Sequence, residues 1–212
     1  WANFTHLGRT IGAMTLEPGM AAYARLRALP DDTPVDLLIK GTGLWQTSVR
    51  LTVTPEGTLQ SCDIEKSSGI RDLDNWTCKL LLRRAKFQAA RIDGAPTFGV
   101  FRTSIIWAVA DAPWDTSKMA IPDIEVSVRQ LPAGLASPTY VRVMFVVDEA
   151  GAKSSCTAED LKTPDRKTNH PALVPVACEQ VLKLLNAAPV TDRTGKRVVS
   201  VQNARVRFSA PE

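Results

Sequence analysis

The sequence predicts an α+β fold made twice over: two tandem modules, each a small antiparallel sheet with one helix packed across it. Three observations carry this reading. Val49-Arg50-Leu51-Thr52-Val53-Thr54-Pro55-Glu56-Gly57 is echoed by Val141-Arg142-Val143-Met144-Phe145-Val146-Val147-Asp148-Glu149-Ala150-Gly151, and each run ends in the acidic and Gly residues of a tight hairpin turn. A cysteine follows five residues past the turn glycine each time, Cys62 in one copy and Cys156 in the other. A second cysteine, Cys78 or Cys178, then falls in a stretch with apolar residues at helical spacing.

Taken in order, residues 1–32 form an N-terminal extension that matches neither copy, with a short helix expected over 20–29 after Pro18-Gly19. The first module spans 33–110. An early strand over 35–39 precedes its hairpin, and the polar loop Lys66-Ser67-Ser68-Gly69 follows. Its helix is expected to begin near Asp72, where Asp or Asn can cap, and to present Leu73, Trp76, Leu80 and Leu81 on one side. The turn Asp93-Gly94-Ala95-Pro96 leads into a closing strand over 100–107. A linker over 111–120 holds Pro113 and Trp114.

The second, divergent module spans 121–212. It has an early strand over 123–128, the hairpin, a polar loop at Lys162-Thr163-Pro164-Asp165, and a helix that starts near Pro171 and Pro175. Cys178, Val181, Leu182 and Leu185 give that helix its apolar side. The turn Arg193-Thr194-Gly195-Lys196 and a strand over 198–208 close the copy.

A module of this size buries little apolar area, so a cross-link is worth having. Cys62 shares a strand face with Ile64, and a helix lying over that face brings Cys78 within bonding range; the same placement pairs Cys156 with Cys178. The competing reading is four buried free thiols in a reducing compartment.

Composition narrows the function. The 26 basic and 22 acidic residues leave a net charge of +4, and the basic residues are scattered, which argues against a nucleic-acid partner. The sequence has no G-x-S-x-G elbow and no clustered His, Cys and Asp set, and Gly41-Thr42-Gly43 lacks the lysine of a phosphate-binding loop. A binding protein is expected, not an enzyme, with no cofactor. His6 and His170 have no partner at metal-ligand spacing, so no metal is expected either. The chain opens on Trp1 without a basic-then-apolar leader, so an export signal or membrane anchor is expected to have been removed or left out.

Several short signals stand in one order in the first module: Thr54-Pro55-Glu56-Gly57, Ser67-Ser68-Gly69, Leu73-Asp74, Arg83-Arg84-Ala85-Lys86-Phe87, Ala89-Ala90 and Asp93-Gly94-Ala95-Pro96. In this the stretch from Thr47 to Trp107 resembles the TonB C-terminal domain family of energy transducers. The second module lacks the Ser-Ser-Gly and Leu-Asp signals and is assigned by its likeness to the first. The resemblance implies a periplasmic protein, tethered to the inner membrane where a segment absent from this chain supplies the anchor. It also implies a grip on a short extended plug segment of an outer-membrane TonB-dependent receptor, in energy-coupled transport driven by an inner-membrane proton-driven complex. The grip would be β-strand addition at a sheet edge. The expected edge is the closing strand of the first module: Val100, Phe101, Arg102, Thr103, Ser104, Ile105, Ile106 and Trp107. The alternative is a periplasmic envelope scaffold that keeps the fold without energy transduction.

Overall fold

The computed structural model describes residues 3–6, 9–12, 43–109, 121–159 and 170–211. The helix expected over 20–29, the early strand over 35–39, the linker over 111–120 and the polar loop at 162–165 lie outside the described residues.

The described elements are β1 (Asn3–His6), β2 (Arg9–Gly12), β3 (Gly43–Val53), β4 (Leu59–Lys66), α1 (Arg71–Arg84), β5 (Ala90–Ile92), β6 (Ala95–Val109) and β7 (Ile124–Ser127). They continue with β8 (Thr139–Val147), β9 (Lys153–Ala158), α2 (Val174–Leu184), β10 (Val190–Thr191), β11 (Arg197–Val198) and β12 (Ser200–Ser209). In the first half the local strand order is β4-β3-β6, and in the second β9-β8-β12, with a helix between the second and third strand of the chain each time.

The two hairpins close in the same way. The Thr54 and Thr58 backbones pair at 2.9 Å and the Gly57 N–H donates to the Thr54 carbonyl, while Asp148 pairs with Ala152 at 3.0 Å and the Gly151 N–H donates to the Asp148 carbonyl. Gly57 and Gly151 both take positive φ, at 79° and 90°, which is why the turns place glycine there. Gly57 has a second reason, since a Cβ there would stand 2.4 Å from the Phe87 carbonyl oxygen.

The disulfides are local to each half. Cys62 of β4 joins Cys78 of α1, and Cys156 of β9 joins Cys178 of α2, across Cα separations of 5.6 and 5.5 Å.

The halves do not stand apart. β12 runs parallel to β6, with Ser200, Val201 and Gln202 opposite Phe98, Gly99 and Val100, so ten strands form one continuous sheet among the described residues. The α+β class therefore stands, but a division into two separate modules is not what the sheet displays. The core explains the merger. Val141, Val143, Phe145 and Val147 of β8 pack under Ala177 and Val181 of α2. The opposite face of the same strands supplies Met144, Val146 and Val201 to the core of the first half, beside Val49, Leu51, Val53, Leu81, Phe87 and Phe101. Because both faces of β8 are covered, its stretch Val143-Met144-Phe145-Val146-Val147 is continuously apolar and not an alternation. Arg142 adds a polar tie: its guanidinium lies 5.5 Å from the Phe101 ring centre and its Nε donates to buried Glu159 at 2.7 Å.

Three local expectations are corrected. Helix α1 begins at Arg71, within one residue of the expected start, but its N-cap is Ile70, whose apolar side chain accepts no capping bond, and not an Asp or Asn. Strand β6 begins at Ala95, not near Val100, because Asp93 and Gly94, with φ of 51° and 81°, form a two-residue hairpin turn that pairs Ile92 with Ala95. The strand expected over 123–128 is present as β7, yet it pairs with β12 in parallel, where an antiparallel sheet was expected. In the N-terminal extension, β1 and β2 form a hairpin that joins the sheet where Ile11 and Gly12 pair with Ile92 and Arg91 of β5.

Candidate partner-binding edge

The site is built on β6, whose outer side is closed at its start and differs further along. β3 pairs with β6 antiparallel from Gly99 to Val109, so one side of the strand is fully used. On the other side, β12 occupies 98–100. At the next outward position the Asn203 side chain takes over. Its Oδ1 accepts the Arg102 backbone N–H at 2.7 Å, and its Nδ2 donates to the Arg102 carbonyl at 3.4 Å.

This contact fixes the parity of the strand. Both backbone groups of a strand residue point to the same side, and the next residue points to the other. With Arg102 facing outward, Ser104, Ile106 and Ala108 face outward too, while Thr103, Ile105 and Trp107 bond towards β3. Among the described residues no strand pairs with the outward side of β6 beyond Arg102.

The expected edge residues therefore divide. Val100 is fully buried and its backbone already faces β12, so it is not available to a partner. Phe101 is also buried, edge-to-face against Phe87 with ring centres 6.1 Å apart. Arg102 is engaged throughout. Its Nε pairs with Glu65 at 3.1 Å, and its Nη1 donates to the Gln202 side chain and the Asn203 carbonyl. Thr103, Ser104, Ile105 and Ile106 are half-buried. Trp107 anchors the far end: its Nε1 donates to Thr77 of α1 at 2.9 Å, and its ring packs on buried Leu73. The Ser104 and Ser48 hydroxyls meet at 3.0 Å across β3 and β6.

The charges beside the edge are mutually satisfied. Arg50 lies 3.7 Å from Asp63 and Arg102 lies 3.1 Å from Glu65. Burial lowers the Arg50 pKa from its ordinary value, and repulsion from Arg102 adds to this; Asp63 and Glu65 pull the other way.

The Ser-Ser-Gly and Leu-Asp signals meet at one point below the edge. The buried Asp74 carboxylate accepts Thr47 Oγ1 at 2.8 Å, Ser67 Oγ at 2.5 Å and the Ser68 N–H at 3.0 Å, so it ties β3, the loop and α1 together. Burial pushes this carboxyl up, but the three donors outweigh it and hold the pKa below its ordinary value. The role of these residues is structural: they hold α1 against the sheet that presents the edge.

The equivalent strand of the second half offers no such edge. β8 fills one side of β12. On the other side stand β6 at 200–202, Asp123 against Arg205, and β7 from Val206 to Ser209. Gln202 and Asn203, which close the start of β6, escaped the sequence reading. The available signal was two adjacent amides, one of them Asn, a type depleted in strands, inside an otherwise strand-forming run; both prove to be buried. Among the described residues no group of three His, Cys, Asp or Glu side chains could hold a metal. None of the helices described is long and apolar enough to cross a membrane.

No curated protein and no solved structure matches the chain. The resemblance drawn from the sequence holds for the first half: residues 46–108, from within β3 through α1 nearly to the end of β6, match the family described as Gram-negative bacterial TonB protein C-terminal, a transport-associated domain that is periplasmic in those bacteria.

Proposed function

We propose that this chain binds a short extended segment of an outer-membrane TonB-dependent receptor, at its plug, by strand addition to β6, and so takes part in energy-coupled transport across the periplasm. One observation carries the reading. The outward N–H and C=O groups at Ser104, Ile106 and Ala108 have no strand partner among the described residues, and they lie within the segment matched by the TonB C-terminal family. An unpaired edge offers backbone bonds to an extended chain whatever its sequence, and the side chains beside it select among candidates. Force would come from an inner-membrane proton-driven complex.

In this reading the second half is a divergent copy of the first that has given up its own edge. Its order of strand, turn, strand, helix and strand repeats that of the first half, and its disulfide occupies the same place. A second reading, an envelope scaffold without energy transduction, draws on the same β12, since the chain already completes part of its own edge over 98–100. Titration with plug-segment peptides separates the two: heat and amide shifts along β6 support the transducer, and silence supports the scaffold.

A further inference from the structure

We infer that Asn203 is a register stop, a residue of the second half that fixes how far an added strand can run along β6 and so sets the length of segment the site accepts. The inference rests on the strand-addition reading given above.

The geometry begins with the departure of β12 from β6. Three rungs join them, the last between Gln202 and Val100. The next rung of a parallel ladder would put the Ala204 backbone beside Arg102. It does not form, because β12 is drawn off towards its other neighbour. The Arg205 N–H donates to Asp123 Oδ2 at 2.6 Å, the Asp123 N–H donates to the Arg205 carbonyl at 2.8 Å, and Val206 to Ser209 pair with β7. The sheet forks at this point, leaving the outward backbone groups of Arg102 at the root of the fork.

Asn203 fills the root. A side-chain amide carries the same donor and acceptor as a peptide group, so its two bonds to Arg102 imitate the missing rung. The two contacts also set which end of the amide is oxygen. The Arg102 side chain bonds back to the Asn203 carbonyl at 3.1 Å and to Glu65 at 3.1 Å, which holds the same point from a second direction. An added strand that ran past Ser104 towards Arg102 would have to displace this amide, leaving it unpaired in a buried position.

Among the described residues, what remains open is the stretch facing Ser104, Ile106 and Ala108. The occupant is an extended peptide segment spanning those three outward positions. Ile105 and Trp107 lie towards one face of the sheet and Ile106 towards the other, while Arg50 and Arg102 are already paired with acidic partners. The ladder and apolar, β-branched side chains therefore carry recognition, not charge.

The test uses the full chain and synthetic plug-segment peptides lengthened one residue at a time at each end, read by calorimetry and by amide hydrogen exchange. In the unmodified protein, protection is expected at Ser104, Ile106 and Ala108, the Arg102 amide is unchanged, and affinity levels off once those positions are covered. In Asn203→Ala the longer peptides gain a few-fold in affinity and the Arg102 amide becomes protected by the peptide. Peptide protection that reaches Arg102 in the unmodified protein, with the Asn203 side-chain amide signals displaced, overturns the register stop and leaves strand addition standing. The register stop is likewise overturned if Asn203→Ala leaves the length dependence unaltered. Absence of binding by every peptide is a different failure: it removes the strand-addition reading itself and this inference with it.

Discussion

The Asp74 carboxylate at the start of α1 and the Thr47 hydroxyl on β3 share a buried hydrogen bond of 2.8 Å. Ser67 and Ser68 complete the set of donors around the same carboxylate. These donors need an ionised acceptor. With its pKa held below the ordinary value of about 3.9, Asp74 contributes stability that is present above that value and is lost as pH falls through the depressed one. Chemical unfolding followed from pH 6 down into the acid range should therefore show a loss of stability for the unmodified protein that is shallower in Asp74→Asn. At neutral pH that variant should be less stable by about 1–3 kcal/mol.

The two disulfides should affect one and the same unfolding transition. The core of the first half includes Met144, Val146 and Val201 of the second, so neither half can unfold without exposing apolar surface of the other. Loops of 16 and 22 residues are closed by the two bonds, and removing either by a paired Cys→Ser change should cost about 3 kcal/mol in the chain-entropy account. Differential scanning calorimetry should give a single peak for the unmodified protein and for each variant. Two separated peaks would mean that the halves behave as independent domains.

The turn glycines are equivalent in sequence but not in surroundings. Gly151→Ala meets only the Pro189 side chain at 3.6 Å and should cost about 1–2 kcal/mol, the penalty of a left-handed backbone. Gly57→Ala carries that penalty and also drives a methyl group into the Phe87 carbonyl, so it should be clearly the more destabilising. Denaturant midpoints of the two variants measured side by side decide the ranking.

What the sequence made legible is what the chain settles locally. Turn chemistry at Gly57 and Gly151, the cysteine five residues beyond each, and the apolar side of α2 all lie within a few residues of the structures they specify. The start of α1 falls within a residue of the expected one, but the bond of its Asp74 carboxylate to Thr47, 27 residues away, is a contact that no local pattern reports. The joining of the halves depends on β12 meeting β6 about a hundred residues earlier in the chain, and no periodicity reports such a contact. Buried strand faces left one trace: the unbroken apolar run Val143–Val147 within β8 is what a strand covered on both sides requires. The side-chain bond from Asn203 to the Arg102 backbone was not legible, since Asn203 lies in the other half and reaches it through one side chain.

In the proposed function partner binding depends on the outward backbone groups of β6, and proline probes them with least disturbance elsewhere, since it removes one N–H. Ser104 faces outward, so Ser104→Pro takes a donor from the open edge, whereas Thr103 bonds towards β3 and Thr103→Pro breaks the sheet within the first half. The decisive measurement is calorimetric titration of the unmodified chain and of Ser104→Pro with a plug-segment peptide, with circular dichroism to confirm that each protein is folded. Strand addition predicts modest binding to the unmodified chain, since ordering a flexible peptide offsets much of the gain, and a loss of roughly tenfold or more in folded Ser104→Pro. Equal binding by both proteins, or heat from neither, would contradict the assignment of β6 as the partner-binding edge.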